Sequence, residues 1–538
     1  MPLLSLLAVI IAAGAWMLLR PPPYAGPSGA VDADTAHPDA LIRTSSLAKL
    51  PADLLRIPLA RDVLSEDFVT YYEQNENRLA LSGAVRRIAF EHKLDFPERL
   101  LESVLDEPAE VALWRDSGGR LRHFMVVMPR NTLARAIQTL LPVVSSVTDM
   151  QLSSAGKLDG TEVEILVLEY GYRHRLLLLA KDERVVALSD PGMLLVSDGG
   201  GERPWKQAEK MVALLGKLLD GKNAVSPFAK AFHLTEALPE KKHELILGAS
   251  VFAFGYGVFA PGLEALRLSF DDQGAWQSSV ALNAPRPDDG ALWAALPYGP
   301  SLCASVPVDW TRLAVLLGSF NDRYAQPVVP AQFVDRFKGS AAVCWYKDSR
   351  LYTPLFAARL NAAVNEKQTQ EFFALADAAI NGESAASFDA ASGSGRWQSG
   401  VASKFGASGD KGERMLKPAL ALQRDLVFFS PDARLVDSAI DVAAKRYPAL
   451  ADKFAHTDGS ALAFIDPEAL AGLLRKETFA ALPRNEEPIF RNAADAWLAP
   501  RLEALARYPA QRVRFAADKA DKPHAWHVLE WEADGAVR

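Results

Sequence analysis

Four strand-and-corner patterns occur twice in this chain in the same order, and that recurrence restricts the possible folds more than any single motif does. In the first half, Val111 to Arg120 leads through Phe124 to Met128 toward an expected helix over 131–141. In the second, Ala342 to Arg350 leads through Leu355 to Leu360 toward an expected helix over 366–380. Further on, Leu176 to Pro191 corresponds to Ala419 to Asp432, each reading as a hairpin whose second strand stops at a Ser-Asp-Pro or Ser-Pro-Asp corner. Proline fixes φ there, and Ser or Asp caps the next helix, 433–445 in the second copy. Next come apolar strands expected at Ala249 to Phe254 and Ser460 to Ile465. Last are two alternating hairpins, Glu264–Phe270 with Trp276–Leu282 and Gln511–Phe515 with Trp526–Trp531, whose period of two predicts one wet face.

Hairpins dominate, and regular βαβ alternation is missing. The expected class is therefore α+β: two tandem related units of antiparallel sheet with helices packed on one face, preceded by one N-terminal transmembrane or signal helix. The expected boundaries are an anchor or signal over 1–20, a Pro/Gly/Ala-rich tether over 21–38, a first unit over 39–290 and a duplicated second unit over 291–538. Short helices over 51–66, 83–92 and 310–320 would supply cover, and 384–412, rich in Gly, Ser and Ala, reads as a loop.

Residues 2 to 19 form a run of apolar residues ended by Arg20 and Pro21-Pro22-Pro23. About 18 such residues reach roughly 27 Å as a helix, enough to span a bilayer core or to serve as a signal. The run continues past Ala13-Gly14-Ala15 through Leu19, which favours an uncleaved anchor in the inner membrane with the body in the periplasm. Secretion after cleavage is the alternative. Flanking charge does not orient the segment, since no Lys or Arg precedes it.

The net charge is −7, from 59 basic and 66 acidic residues without a basic stripe, so nucleic acid is not an expected partner. Two cysteines, Cys303 and Cys344, lie in apolar β-rich runs. They read either as a disulfide suited to an oxidising compartment or as two separate buried thiols. No metal site and no cofactor is expected: the nine histidines are dispersed and no ligand spacing joins them.

Ser46-Leu-Ala-Lys49 and Ser154-Ala-Gly-Lys157 fit S-x-x-K, in which a serine nucleophile sits one helical turn from a lysine base. The companion S-D-N and K-T-G signatures are absent from the sequence, so a capping serine beside a solvated lysine competes with an acyl-transfer site. Gly255-Tyr-Gly257-Val-Phe-Ala260 fits a dinucleotide turn, but Pro261-Gly262 breaks the helix that should follow. Tyr71, Tyr72 and Glu73 centre a polar, aromatic stretch suited to a recognition surface or to the wet face of a helix.

Asp39–Arg56, Arg61–Phe68, Tyr71–Asn75, Arg86–His92 and Leu188–Met193 resemble the YfaA-like family of bacterial proteins of unknown function, from about residue 39 to the C-terminus. The resemblance implies an envelope protein of Gram-negative bacteria, often encoded near α2-macroglobulin-like proteins, and carries no catalytic residues with it. Two functions follow as expectations. One is a non-enzymatic, membrane-anchored periplasmic protein that binds an envelope protein, with an α2-macroglobulin-like protein as candidate. The other is an envelope hydrolase using carboxylates, or Ser46 with Lys49, in a cleft between the units.

Overall fold

The computed structural model describes residues 31, 34–47, 49–63, 106–115, 121–129, 150–170, 174–197, 205–221, 225–237, 242–252, 262–283, 290–311, 334–381, 396–403, 414–454, 461–481, 491–492, 494–516 and 522–533. The expected class is corrected: nineteen strands belong to one antiparallel sheet, and helices are the minor element. The segment 1–20 lies outside the described residues, and among those residues no helix is long and apolar enough to cross a membrane. By internal contacts the chain divides into two compact units, Met1–Phe252 with Ala265–Ser278, and Ala253–Glu264 with Ser279–Arg538.

The first unit contains β1 (Ala40–Thr44), β2 (Ala109–Arg115), β3 (Leu121–Pro129), β4 (Met150–Lys157), β5 (Glu164–Tyr170), β6 (His174–Lys181) and β7 (Arg184–Leu188). A two-stranded ribbon of β8 (Leu195–Ser197) and β9 (Trp205–Gln207) follows, then β10 (Lys242–Gly248) and most of β11 (Leu263–Asp271), while β12 (Trp276–Leu282) is divided at Ser278 between the two units. Its helices are α1 (Leu50–Leu54), α2 (Pro58–Val63), α3 (Glu209–Asp220), α4 (Pro227–Ala231) and α5 (Ala249–Phe252). Neighbouring strands run β11-β10-β1-β2-β3-β7-β6-β5-β4.

The second unit contains β13 (Pro300–Pro307), β14 (Phe337–Tyr346), β15 (Leu355–Leu360), β16 (Arg396–Gln398), the ribbon β17 (Val401–Ser403) with β18 (Arg414–Leu416), and β19 (Ala419–Gln423). It continues with β20 (Leu426–Ser430), β21 (Ala461–Ile465), β22 (Gln511–Phe515) and β23 (Ala525–Ala533). The helices are α6 (Gly290–Trp293), α7 (Glu366–Asn381), α8 (Ala433–Ala443), α9 (Pro467–Ala481) and α10 (Ala499–Ala506). Neighbours run β23-β22-β21-β13-β14-β15-β20-β19-β16; the eight strands from β22 to β16 follow one another in the order of β11-β10-β1-β2-β3-β7-β6-β5 in the first unit. One strand of the sequence reading moves: 249–252 is the helix α5, and β10, ending at Gly248, precedes it.

Helices on one face only is the second correction. In the first unit Val126, Met128, Leu166, Leu168, Leu176, Leu178, Val185 and Ala187 share one apolar layer with Leu47, Leu50 and Ile57. The alternate residues Met125, Val127, Ile165, Val167, Leu177, Leu179, Val186 and Leu188 are also buried. Helix α3 packs on β6 and β7 and buries Met211, Leu215, Leu218 and Leu219, worth about 1.5–3 kcal/mol each. Its end is set by Gly221, whose φ of 64° is left-handed; an added Cβ there would lie 2.7 Å from Arg184 Nε. In the second unit α6 and α8 cover the layer of Leu355, Ala357, Ala421 and Phe428. Phe372 and Phe373 of α7 join the opposite layer of Leu360, Leu420, Leu422 and Val427. Strands apolar on both sides need cover on both sides.

The two corners act as caps. Asp190 accepts from the Gly192 N–H at 2.7 Å ahead of a single 3-10 turn, Pro191–Met193. Asp432 accepts from the Arg434 N–H at 3.1 Å and starts α8.

Candidate functional site

The densest buried polar cluster among the described residues lies where β1 runs out into α1. The antiparallel register of β2, β1, β10 and β11 sets Ala109, Thr44, His243 and Phe270 side by side. Ala109 and Phe270 belong to the apolar layer under α1, so Thr44 and His243 are a polar pair within it, at 0% and 1% exposure. Thr44 Oγ1 lies 2.7 Å from His243 Nδ1, and His243 Nε2 lies 3.1 Å from Asp53 Oδ2 on α1. The neighbouring register position pairs Arg43 with Glu244. Arg43 Nη1 donates to Glu244 at 2.7 Å and its Nη2 to the Glu236 carbonyl at 2.9 Å, with Glu110 3.5 Å from its Nε. Arg267 stands 3.6 Å from Glu244, and burial lowers its guanidinium below its ordinary range.

Hydroxyl, imidazole and carboxylate in line have the form of a nucleophile relay. The chemistry is blocked twice. Thr44 Oγ1 has no exposed surface for a substrate, and it lies 2.7 Å from the Ser46 carbonyl, to which it donates its single hydrogen. The same oxygen accepts the Ser46 N–H at 3.1 Å. These contacts fold the β1–α1 corner and hold it closed.

Ser46 and Lys49 fall in this corner without forming a nucleophile–base pair. Ser46 is buried, and its Oγ accepts the Lys49 N–H at 3.2 Å, which caps α1. Lys49 Nζ turns outward to Asp106, 2.8 and 2.7 Å from its two oxygens. That hydrogen bond raises the ammonium above its ordinary value and lowers the Asp106 carboxyl, which favours the charged form of Lys49. Ser154 likewise donates to Glu164 at 2.8 Å, and Lys157 pairs with Glu162.

Tyr71, Tyr72 and Glu73 lie outside the described residues, as does the 255–260 glycine turn. Cys303 and Cys344 are joined in a disulfide, at directly opposed positions of β13 and β14 and with no exposed surface.

One outward-facing feature carries aromatic residues. Phe429, Phe356, Val343, Ala304 and Ala463 are consecutive register partners across β20, β15, β14, β13 and β21. None of the five is buried, and Phe356 is 38% exposed with its ring centroid 6.2 Å from that of Phe429. The alternate residues Phe428, Cys344, Cys303 and Phe464 are fully buried, so the row lies on the other face, where Phe429 packs against the layer under α7 and Phe356 stays partly open.

Sequence reasoning missed both features. His243 opens the strand Lys242-His-Glu-Leu-Ile-Leu-Gly248, where the polar start reads as a wet end. Only the pairing with β1 shows that this end is inside.

No solved structure matches the chain. It is 32% identical to the protein named "Uncharacterized protein YfaA" of Escherichia coli (strain K12) over 527 residues, covering 93% of this chain and 90% of that one. A family described as "Uncharacterized protein conserved in bacteria (DUF2138)" matches residues 19–531. The chain therefore belongs to the DUF2138 family of bacterial proteins.

Proposed function

We propose that this protein is a non-enzymatic binding protein of the bacterial envelope, carried there by residues 2–19 as anchor or signal, with its body in the periplasm. The half-open row around Phe356 supports a protein partner most directly. A partly exposed aromatic, Phe356 backed by Phe429, supplies contact area at little entropic cost, as the core of a protein interface does. The buried, mutually bonded polar groups at the β1–α1 corner speak for architecture over catalysis. The recurrence of one eight-strand order in both units supports a duplicated body. The resemblance noted in the sequence makes an α2-macroglobulin-like envelope protein the first partner to test.

The test is co-purification from envelope extracts with a C-terminally tagged full-length chain, blotting for the α2-macroglobulin-like protein of the same bacterium. Phe356→Glu should abolish the capture while leaving the melting temperature within a few degrees, since the residue is on the surface. Absence of capture by the wild-type chain, or equal capture by Phe356→Glu, refutes the reading. An alkaline phosphatase fused to the C-terminus should be active; an inactive, stable fusion would place the body in the cytoplasm.

A further inference from the structure

Cys303 and Cys344 are the only cysteines of the chain, and neither has exposed surface. Both stand on interior strands. β13 holds Cys303 between Cys344 of β14 and Phe464 of β21, and β14 holds Cys344 between Cys303 and Leu355 of β15. Leu292 of α6, Val436 and Ala439 of α8, and Leu450 close the apolar cluster in which both cysteines lie. Each strand is paired on both sides and covered on this face, so no sheet edge gives access to either sulfur.

A disulfide forms by exchange, and exchange needs room that the folded unit does not have. One cysteine thiolate attacks the oxidant's disulfide, giving a mixed disulfide and releasing the oxidant's second sulfur as a thiolate. The other cysteine thiolate then attacks the protein sulfur of the mixed disulfide, which closes Cys303–Cys344 and expels the oxidant as a dithiol. Two electrons pass to the oxidant, and the two protons lost by the cysteines end on its thiols. The mixed disulfide sets the oxidant's own chain against Cys303 or Cys344, and an interior at native packing density has no space for it.

We propose that this pair is closed by a thiol–disulfide oxidant of the envelope acting on the chain before it folds, and that a chain folded first keeps two thiols out of the oxidant's reach. The inference rests on the placement of the body in the periplasm, because the cytosol keeps thiols reduced. Chain order suits it. Both cysteines precede β15, α8 and β21, so a chain delivered from its N-terminus presents them before those elements arrive to cover them. Two cysteines allow one intramolecular pairing, so the chain needs an oxidant and no disulfide isomerase.

The test starts from the full-length chain in detergent, reduced and unfolded in urea, with one portion refolded under reductant and then freed of it. Both portions receive oxidised glutathione, a probe smaller than any protein oxidant. Free thiols are counted by maleimide labelling after acid quench, and rates are referred to a cysteine peptide in the same solvent. The unfolded chain should be oxidised at least about tenfold faster than the refolded one, which reacts only during rare openings. A smaller ratio overturns the proposal. A reduced chain that refolds only after oxidation supports it, since closure of the pair then comes first. In intact cells, pulse-labelled chains should lose both thiols before they resist protease; protease-resistant chains that are oxidised later overturn it. Thiols that stay free beside an active C-terminal phosphatase fusion strike this proposal alone, whereas an inactive, stable fusion strikes the placement on which it rests.

Discussion

Arg43 shows how a charge is held inside a sheet by partners on the neighbouring strands. Its guanidinium is 4% exposed and Glu244 is 8% exposed, so the pair has given up most of its hydration and holds through the 2.7 Å contact. Removing Glu244 leaves the buried Arg43 with only the more distant Glu110 carboxylate, 3.5 Å from its Nε, as a counter-charge. Glu244→Gln should cost about 3 kcal/mol in urea denaturation, and the apolar double variant Arg43→Met with Glu244→Leu should cost clearly less. Equal losses for both would show that the pair has no electrostatic role. The residue types here were plain in the sequence, since Arg43 and Thr44 lie in the run that carries the family resemblance. Their roles were not, because Arg43 meets Glu244, and Thr44 meets His243, only through a ladder between strands some two hundred residues apart.

Corners and caps were far more legible, because their chemistry is local. The Ser-Pro-Asp corner predicted a helix from residue 433, and α8 begins there with Asp432 on the Arg434 N–H. Asp432→Ala should lower stability by about 1 kcal/mol and raise exchange in the first turn of α8, whereas Asp432→Asn should be nearly silent. An alanine variant as stable as the wild type would remove the capping role. The hairpins of β6–β7 and β19–β20 were legible for the same reason: each turn holds its own signal, Lys-Asp-Glu in one and Arg-Asp in the other. Strand cover was misread. Leu176-Leu-Leu-Leu-Ala180 and Ala419-Leu-Ala-Leu422 are continuous apolar runs, and such runs mark strands buried on both faces. The dominance of hairpins over βαβ alternation pointed to helices on one face, whereas these central strands are buried on both.

Nineteen strands in one antiparallel sheet make register the main risk for the whole molecule, since a slip of one residue turns every apolar side chain to the other face. The two halves pin it by different means. In the first, the β1–β10 ladder has Arg43 against Glu244 and Thr44 against His243, polar pairs that tolerate no shift. In the second, the β13–β14 ladder sets Cys303 against Cys344, and their disulfide closes a sequence separation of 41 residues. A loop of that length removes enough entropy from the unfolded chain to stabilise by about 2–4 kcal/mol. Cys303→Ala with Cys344→Ala should therefore lower the unfolding free energy measured in urea by that amount, with a steeper slope because the unfolded chain is released from the cross-link. Because both cysteines have no exposed surface, reductant added to the folded wild-type chain should leave it intact, while reductant present during unfolding should bring it to the stability of the double variant. If the folded chain is reduced as fast as an exposed model disulfide, β13 and β14 open readily, and the apolar row that crosses them is a mobile surface instead of a preformed one.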